Sequence, residues 1–453
     1  MGLMYIGATL RNAGHKPRIH DCACDHDGLQ VLRKTIIDWK PDFIGLSIII
    51  TEVEEAKRIM KLIREVIPTS PVIFGGPWPS SNPLESLQTF GADYVVMGEG
   101  ELVFPRLLDA LNAGSSFSSM LGTASSINGS VKINQRRLLT EEELDALPFP
   151  AWDLLDHELY AKMRSMPGVG RRSYMSIVTS RGCPYRCIYC HQTMGKRFRK
   201  RSPGSVISEI ETLRFKYGFK EFEILDDCFN LDRKRMRAIL EGIRDRIGDV
   251  RLHFPNAVRS DIIEPEDMSL FKQAGTISAS FAIETASPRI QKMIRKNLNL
   301  EKATRTINAA VKEGIYSTGY FMIGFPTETY QEASETVKFA IHSQLHRALF
   351  FNPKPFAGTE LAEMAADILG DKELLDPCIM NYHDSALNIS SMSDEELREV
   401  SKKAYKNFYL NLKRIFRLMK LTIRHPELFA LKRLFGMFVI TFLNIKTKES
   451  SVK

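Results

Sequence analysis

A chain of 453 residues is longer than one hydrophobic core ordinarily organises, so two or three domains are expected. Its 44% hydrophobic and 26% charged residues are those of a soluble globular protein, and seven cysteines, odd in number and mostly clustered, argue against a secreted disulfide framework and for a reducing, cytoplasmic setting. The net charge of +8 is unevenly placed: residues 402–453 hold thirteen Lys/Arg against Glu427 and Glu449, a net +11, which leaves −3 for the first 401 residues.

The N-terminus has no basic region leading into an apolar run, so no secretory leader is expected, and no apolar stretch reaches spanning length. Residues 1–112 alternate helix and strand signals. GLMYIGATLRNAGH reads as a helix with Gly14 near its C-cap. FIGLSIII is a continuous apolar run, the pattern of a strand buried on both faces. EVEEAKRIMKLIREVI is an amphipathic helix, and PVIFGG and DYVVMGEG are short strands that run into glycines. This is the pattern of a doubly wound, Rossmann-like α/β domain. Residues 113–172 read as a linker, rich in Ser, Gly and Asn at first, with room for a hairpin around Asn128-Gly129. From 173 to 360 a second series follows, with YMSIVTS, EFEILDD, RLHFPNA, ISASFAI, YSTGYFMI and ALFFN as strands. Six βα units predict a partial, parallel (β/α)6 barrel. Residues 361–453 form a helical, finally basic, region.

Three cysteines fall in SRGCPYRCIYCHQ, spaced C-x3-C-x2-C. Structural zinc asks for four ligands in a closed shell, and His191, next to Cys190, is poorly placed to complete that tetrahedron. A [4Fe–4S] cluster also usually takes four cysteines. With three, one iron stays open to an exogenous ligand. Cys22, Cys24, Cys228 and Cys378 have no partners at ligand spacing and read as packed thiols.

This spacing, with an aromatic residue before the last cysteine and at the end of the first strand of a barrel-like series, resembles the radical S-adenosylmethionine (radical SAM) superfamily. The resemblance implies that Cys183, Cys187 and Cys190 ligate three irons of a [4Fe–4S] cluster. S-adenosylmethionine then chelates the fourth iron and is split by one electron to a 5′-deoxyadenosyl radical. It implies further that Tyr189 packs near the adenine. EILDDCFN resembles the family's second-strand segment, with Asp226 and Asp227 pointing into the barrel mouth; a helix N-cap or a salt bridge is the competing reading of that pair. FAIETASPRIQKMIRKN resembles the fourth-strand segment, with Glu284 near the ribose hydroxyls. GYFMIGFPTET resembles the fifth, where Gly319 and Gly324 admit the adenine to the backbone.

In the first domain, Ser47 and Thr51, Gly75-Gly76, and Gly98-Glu99-Gly100 follow successive strands, at the end of the sheet where open α/β folds bind ligands. Turn glycines in tight βα loops would give the same pattern. GLMYIGATLRNAGHKPRIHDC, GLSIIITEVEEA, GGPWPSSNP and DYVVMGEGE resemble the cobalamin-binding domain that precedes the barrel in one branch of the superfamily, which implies cobalamin binding at those residues. Relatives of that branch begin with a further strand, so this sheet is expected to lack its first one. No D-x-H-x-x-G is present, so cobalt would have no histidine ligand from below.

GKRFRKRS, after the cysteine loop, reads as a solvated basic loop rather than a nucleic-acid contact. In the tail, Phe408, Leu412, Ile415, Phe416, Met419 and Ile423 share one face of a helical wheel. Lys406, Lys413, Arg414, Arg417, Lys420 and Arg424 lie opposite, and Leu410 and Leu421 break the pattern. Either this helix packs on the barrel with a solvated basic face, or it lies on an anionic membrane, at its inner face.

The chain therefore reads as a cobalamin-dependent radical SAM enzyme, expected to methylate an unactivated carbon. One S-adenosylmethionine would remethylate cobalamin and a second would generate the radical. The alternatives are a radical cyclase or other oxidoreductase without methyl transfer, a non-catalytic cobalamin- or S-adenosylmethionine-responsive binding protein, and a zinc-stabilised interaction protein. A small molecule is the expected substrate, or a lipid-like one if the tail meets a membrane. A reductase or flavodoxin-type electron donor is expected, and no nucleic acid.

Overall fold

The computed structural model describes residues 1–22, 28–127, 130–157, 160, 173–191, 193–256, 258–370 and 387–424. Cys24, Asn128-Gly129, Cys378 and the tail beyond Arg424 lie outside them. The chain divides into two compact units, one built mainly on Met1–His157 and the other mainly on Lys196–Lys372 with the cysteine loop and the C-terminal helices.

In the first unit α1 (Gly2–Asn12) ends as its sequence predicts: Gly14 takes a φ of +88° and donates to Arg11 O, while His15 N reaches Leu10 O. After α2 (Gly28–Trp39), β1 (Ile44–Ser47), α3 (Val53–Val66), β2 (Val72–Gly75), α4 (Pro77–Ser81), α5 (Pro83–Gln88), β3 (Tyr94–Val96) and α6 (Val103–Asn112) complete the α/β series. β1, β2 and β3 pair in parallel. Ile63, Val72, Phe74 and Val95, all fully buried, form the core between β2–β3 and the helices.

Two readings change here. The apolar run 43–50 is not a strand buried on both faces. β1 takes only four of its residues, alternates half-buried and exposed, and among the described residues forms the edge of the sheet. The first part of the stretch read as a linker extends the sheet instead. β4 (Thr123–Ile127) pairs antiparallel with β3, and β5 (Ser130–Ile133) with β4, giving the order β1-β2-β3-β4-β5. β4 and β5 are the hairpin expected on either side of Asn128-Gly129, but such short strands, with Ser125, Ser126 and Ser130 among their residues, carry little hydrophobic periodicity, so the rest of the segment reads as linker. α7 (Glu141–Asp145) follows, opened by a Thr140/Glu143 capping box.

The second unit is a six-stranded, wholly parallel sheet in the order β13-β12-β11-β10-β9-β6. Its strands are β6 (Met175–Ile177), β9 (Glu221–Ile224), β10 (Arg251–Phe254), β11 (Thr276–Glu284), β12 (Tyr316–Met322) and β13 (Arg347–Phe351). Chain order and spatial order agree, as a progressive βα series requires. Between β6 and β9, the two-residue strands β7 (Ser180–Arg181) and β8 (Arg199–Lys200) pair antiparallel and close the base of the cysteine loop. The connecting helices are α8 (Pro203–Phe215), α9 (Arg233–Gly242), α10 (Asp267–Gln273), α11 (Pro288–Met293), α12 (Leu300–Lys312) and α13 (Tyr330–His342). Phe222, Phe254 and Phe281 are completely buried from one set of alternating positions. From the other set, His253 bridges Glu221 (2.9 Å) and Ser278 (2.8 Å).

α14 (Glu360–Leu369), α15 (Asp394–Tyr409) and α16 (Leu412–Arg424) complete the chain. α15 protects the open edge of the sheet. Phe350 N donates to Tyr405 Oη (3.1 Å) and that hydroxyl donates to Phe350 O (3.1 Å), while the Tyr409 hydroxyl donates to Ala348 O (2.9 Å). Tyrosines four apart on a helix thus serve residues two apart on a strand, whose outer backbone groups would otherwise lack partners.

Candidate functional site

The cysteine loop is anchored from three sides. At its start, Asp226 is 3% exposed and accepts three hydrogen bonds: Thr179 N (2.6 Å), Thr179 Oγ1 (2.5 Å) and Ser180 Oγ (2.5 Å). Asp227 accepts from Gly182 N (3.1 Å), and burial raises its carboxyl above the usual range. The pair therefore faces the root of the loop rather than the open mouth. From α9, Arg235 donates to Thr179 O and Arg201 O. At its middle, Ile188 N donates to Ile294 O, and Leu361 N to Ile188 O. Arg259 lies over the Tyr185 ring, 3.7 Å from its centroid, and donates to Lys296 O.

GKRFRKRS is not a solvated loop. Arg199 and Arg201 are each 3% exposed, Arg201 forms a buried ion pair with Glu209, and Lys200 pairs with Asp232 at 2.7 Å. Lys196 Nζ donates to Tyr185 O at 2.9 Å. Basic residues here fasten the loop from below.

The thiols of Cys187 and Cys190 act on each other, which lowers the Cys187 thiol from its ordinary value and raises that of Cys190. Burial raises Cys183 as well. Lys296, the positive charge beside Cys187, favours its thiolate, the form that binds metal. Among the described residues no group of three or more His, Cys, Asp or Glu is set to hold one metal ion, as the zinc reading requires. Three thiols spread along one loop suit a multi-iron cluster, in which each takes a different iron. Cys228 stays a buried thiol, its pKa pushed up to about 12 by burial.

Glu284 ends β11 with φ +66°, a left-handed conformation that costs a non-glycine residue of order 1 kcal/mol or more and aims its side chain toward the cysteine loop. Its Oε1 accepts from Tyr189 Oη (3.1 Å) and pairs with Lys296 Nζ (3.3 Å), while its buried Oε2 has no partner. An unmatched, buried carboxylate oxygen is what a ligand hydroxyl would satisfy. The Tyr189 ring lies 5.8 Å from that of Phe325, at the end of β12. Burial, and Glu284 next, raise the Tyr189 hydroxyl, which stays protonated as the donor. The ends of β6, β11 and β12 thus bring Cys187, Tyr189, Glu284, Lys296 and Phe325 together.

Two glycines of the sequence reading differ in what they permit. A Cβ on Gly319 would lie 2.4 Å from Leu345 Cδ1 and 2.8 Å from the Phe321 ring, so its missing side chain makes room for core packing. Gly324 takes φ +104° and is held by Glu328, whose Oε2 accepts from Gly324 N (2.6 Å) and Phe325 N (3.0 Å). Glu328 and Lys296 both lie inside segments quoted above but carry no periodicity that singles them out.

In the first unit, Ser47, Gly75, Gly76 and Gly98 meet at the C-terminal ends of β1, β2 and β3. Gly76 takes φ +94° with Ser47 Oγ 3.1 Å from the place of a Cβ, and Ser80 accepts from Gly98 N at 2.9 Å. Ser47 and Thr51 are exposed, and a Cβ on Gly75 would meet nothing closer than Val96 O at 3.7 Å. That surface offers backbone and hydroxyls to a flat ligand and fits a corrin. Glu99 and Gly100 lie behind it. Glu99 Oε2 accepts from Leu139 N (2.5 Å), and a Cβ on Gly100 would press on Ile6 at 3.3 Å.

Residues 177–340 match the family model of the radical SAM superfamily, and residues 1–108 match that of the B12 binding domain. The uncharacterized methyltransferase PH0819 of Pyrococcus horikoshii is 31% identical over 421 residues, covering 91% of this chain and 88% of that protein. Cytidylyl-2-hydroxyethylphosphonate methyltransferase of Streptomyces wedmorensis is 28% identical over 461 residues, covering 90% and 85%. Among solved structures, the radical S-adenosylmethionine methyltransferase TsrM from Kitasatospora setae, with tryptophan substrate and a SAM analog bound, superposes with a TM-score of 0.68 at 20% identity, over 82% of this chain and 73% of that one. This is a likeness of fold.

Proposed function

From the premise that this chain belongs to the radical SAM superfamily and carries a B12-binding domain, we propose that it is a methyltransferase acting on an unactivated carbon of a small-molecule substrate. The observation that carries the reading is the meeting of the cysteine loop, at Cys187 and Tyr189, with the strained Glu284 and with Lys296 at the ends of neighbouring parallel strands. When bound, a [4Fe–4S] cluster with one open iron supplies the electron that splits S-adenosylmethionine, and cobalamin supplies the methyl carrier.

The chain's residues do the rest. Cys183, Cys187 and Cys190 would hold the cluster, with Lys296 favouring thiolate at Cys187. Glu284 Oε2 would accept the ribose hydroxyls of S-adenosylmethionine. Tyr189 and Phe325 would wall the adenine and keep water out, and the Gly324 turn, fixed by Glu328, would pass close to it. Asp226, Asp227 and Arg235 hold the loop against the sheet, so the donors are placed before any ligand arrives. In the first unit Ser47, Thr51, Gly75, Gly76 and Gly98 would face the corrin, with Glu99 and Gly100 supporting from behind. A flavodoxin-type reductase is the proposed electron donor.

The test is anaerobic turnover of reconstituted, cobalamin-loaded protein. Methyl transfer releases S-adenosylhomocysteine together with 5′-deoxyadenosine. Release of 5′-deoxyadenosine alone in the presence of a consumed substrate would replace methylation by another radical reaction. Undiminished cleavage by the Cys187→Ala variant would remove the site assignment.

A further inference from the structure

We propose that the outward face of α16 is a docking surface for an anionic lipid bilayer, on which the helix lies in the plane of the headgroups. This does not depend on the reaction assigned above. The sequence presents 408–424 as one amphipathic helix, but the structure breaks it. α15 ends at Tyr409, and α16 begins at Leu412 with a different face inward. Phe408, from the same wheel stripe, is fully buried. The residues after the break are not: Leu412 is 80% exposed, Phe416 72%, Met419 54% and Ile423 78%. They recur at i, i+4, i+7 and i+11 and so form one stripe.

The helix cannot roll to hide that stripe. Its inward face is fixed by Arg414, 2% exposed, whose guanidinium donates to the carbonyls of Leu345, Ala340, Ile341, Ser343 and Phe408 and stacks on the Phe408 ring at 3.4 Å. Leu418 and Leu421 pack beside it against Ile277 and Tyr316. Turning the apolar stripe inward would carry Arg414 out to water, leave five carbonyls without that donor and pull Leu418 and Leu421 from their packing.

A contiguous apolar face held open in this way marks an interaction surface. Its borders point to the partner. Lys413 and Lys420, both exposed, line one edge of the stripe, and residues 402–453 carry a net charge of +11. Large apolar residues edged by lysines match a bilayer boundary with acidic headgroups. No helix among the described residues is long and apolar enough to cross a membrane.

The experiment is flotation of the full-length chain with vesicles of phosphatidylcholine, with and without phosphatidylglycerol. The chain is expected to float with the anionic vesicles and to be released by high salt. The double variant Phe416→Ser/Ile423→Ser should bind about tenfold less or weaker still, with unchanged circular dichroism because both side chains already face solvent. Lys413→Glu/Lys420→Glu should bind less and show a weaker salt dependence. The proposal is overturned if the wild-type chain stays unbound or if the serine variant floats equally. A self-associated wild type that the serine variant converts to monomer, with no flotation by either, would also overturn it in favour of a protein contact.

Discussion

Asp226 bears directly on whether the cysteine loop is built before its ligands bind. Replacing it by alanine removes the acceptor of three hydrogen bonds, one from a backbone amide and two from hydroxyls, at 2.5–2.6 Å in a site 3% exposed. Bonds to a charged acceptor are worth about 1.5–3 kcal/mol each, and removing one member of a buried polar set leaves its partners unsatisfied. Because the three share one carboxylate they do not add fully, and a loss of about 3–5 kcal/mol is expected, concentrated at Thr179–Ser180. That strand end leads into Cys183, so the three thiols should no longer be held in one arrangement. The assay is iron and sulfide content per chain after anaerobic reconstitution, alongside thermal unfolding. Asp226→Ala should fall to a small fraction of wild-type iron and melt earlier. Asp226→Asn, which keeps one acceptor while the hydroxyls can turn to accept from its amide, should lose only about 1–2 kcal/mol and recover much of the iron. Asp245→Ala, whose exposed carboxylate pairs with exposed Arg244, should change neither. Full iron loading of Asp226→Ala would refute the reasoning, because the loop would then be ordered by the cluster alone.

Three further outcomes can be checked. Burial raises the Glu328 carboxyl from 4.5 to about 7. As pH climbs between those values the unfolded chain releases its proton and the native state keeps it, so stability falls across that window by about 1.4 kcal/mol per pH unit, roughly 3 kcal/mol in all. Glu328→Gln should flatten this slope in urea midpoints measured at each pH, and an unchanged slope would assign it to other groups. Tyr189→Phe removes a donor to Glu284 Oε1 and leaves Lys296 as that oxygen's partner, so S-adenosylmethionine binding by calorimetry should weaken several-fold while iron content stays constant. Tyr405→Phe with Tyr409→Phe strips the hydroxyls from the edge of β13, and a fall of about 2–3 kcal/mol is expected in denaturant unfolding, with greater aggregation from the opened edge.

The cysteine loop was legible in the sequence because its information is local: three thiols within eight residues, directly after a strand. The six parallel strands were legible for a related reason, since each apolar segment is bounded by its own turn residues. What closes the loop was not legible. Asp226 and Thr179 are separated by 47 positions, and an acidic pair at a strand end reads equally well as ligand-facing or as an anchor. Only the register of β9 beside β6 decides, and it aims Asp226 at the loop root. The glycines show a similar limit. Composition reports where a side chain is missing but not what fills the space, which is Leu345 at Gly319 and the Arg137 carbonyl at Gly98.

Arg414 shows most sharply why patterns of residue class do not settle faces. A helical wheel assigns every arginine to water, because a lone cation is expensive to bury. The wheel cannot register that α13 ends at His342 with the carbonyls of Ala340, Ile341 and Ser343 grouped within reach of one guanidinium. A planar guanidinium with five donors matches such a group, and the partial negative charge of a helix C-terminus favours it there. Once that pairing is made, the orientation of α16 follows from it rather than from hydrophobicity, and Leu421, which seemed to interrupt the pattern, becomes part of the packed face. The pairing has a testable consequence. Arg414→Leu keeps the bulk of the side chain but abandons all five carbonyls, so α16 should detach while the sheet remains folded. Proteolysis near residue 411 should then accelerate by about a hundredfold, the factor for about 3 kcal/mol of local stability. Equal cleavage rates for the variant and the wild type would mean that Leu418 and Leu421 alone hold the helix, and that its outward apolar stripe is not set by the buried cation.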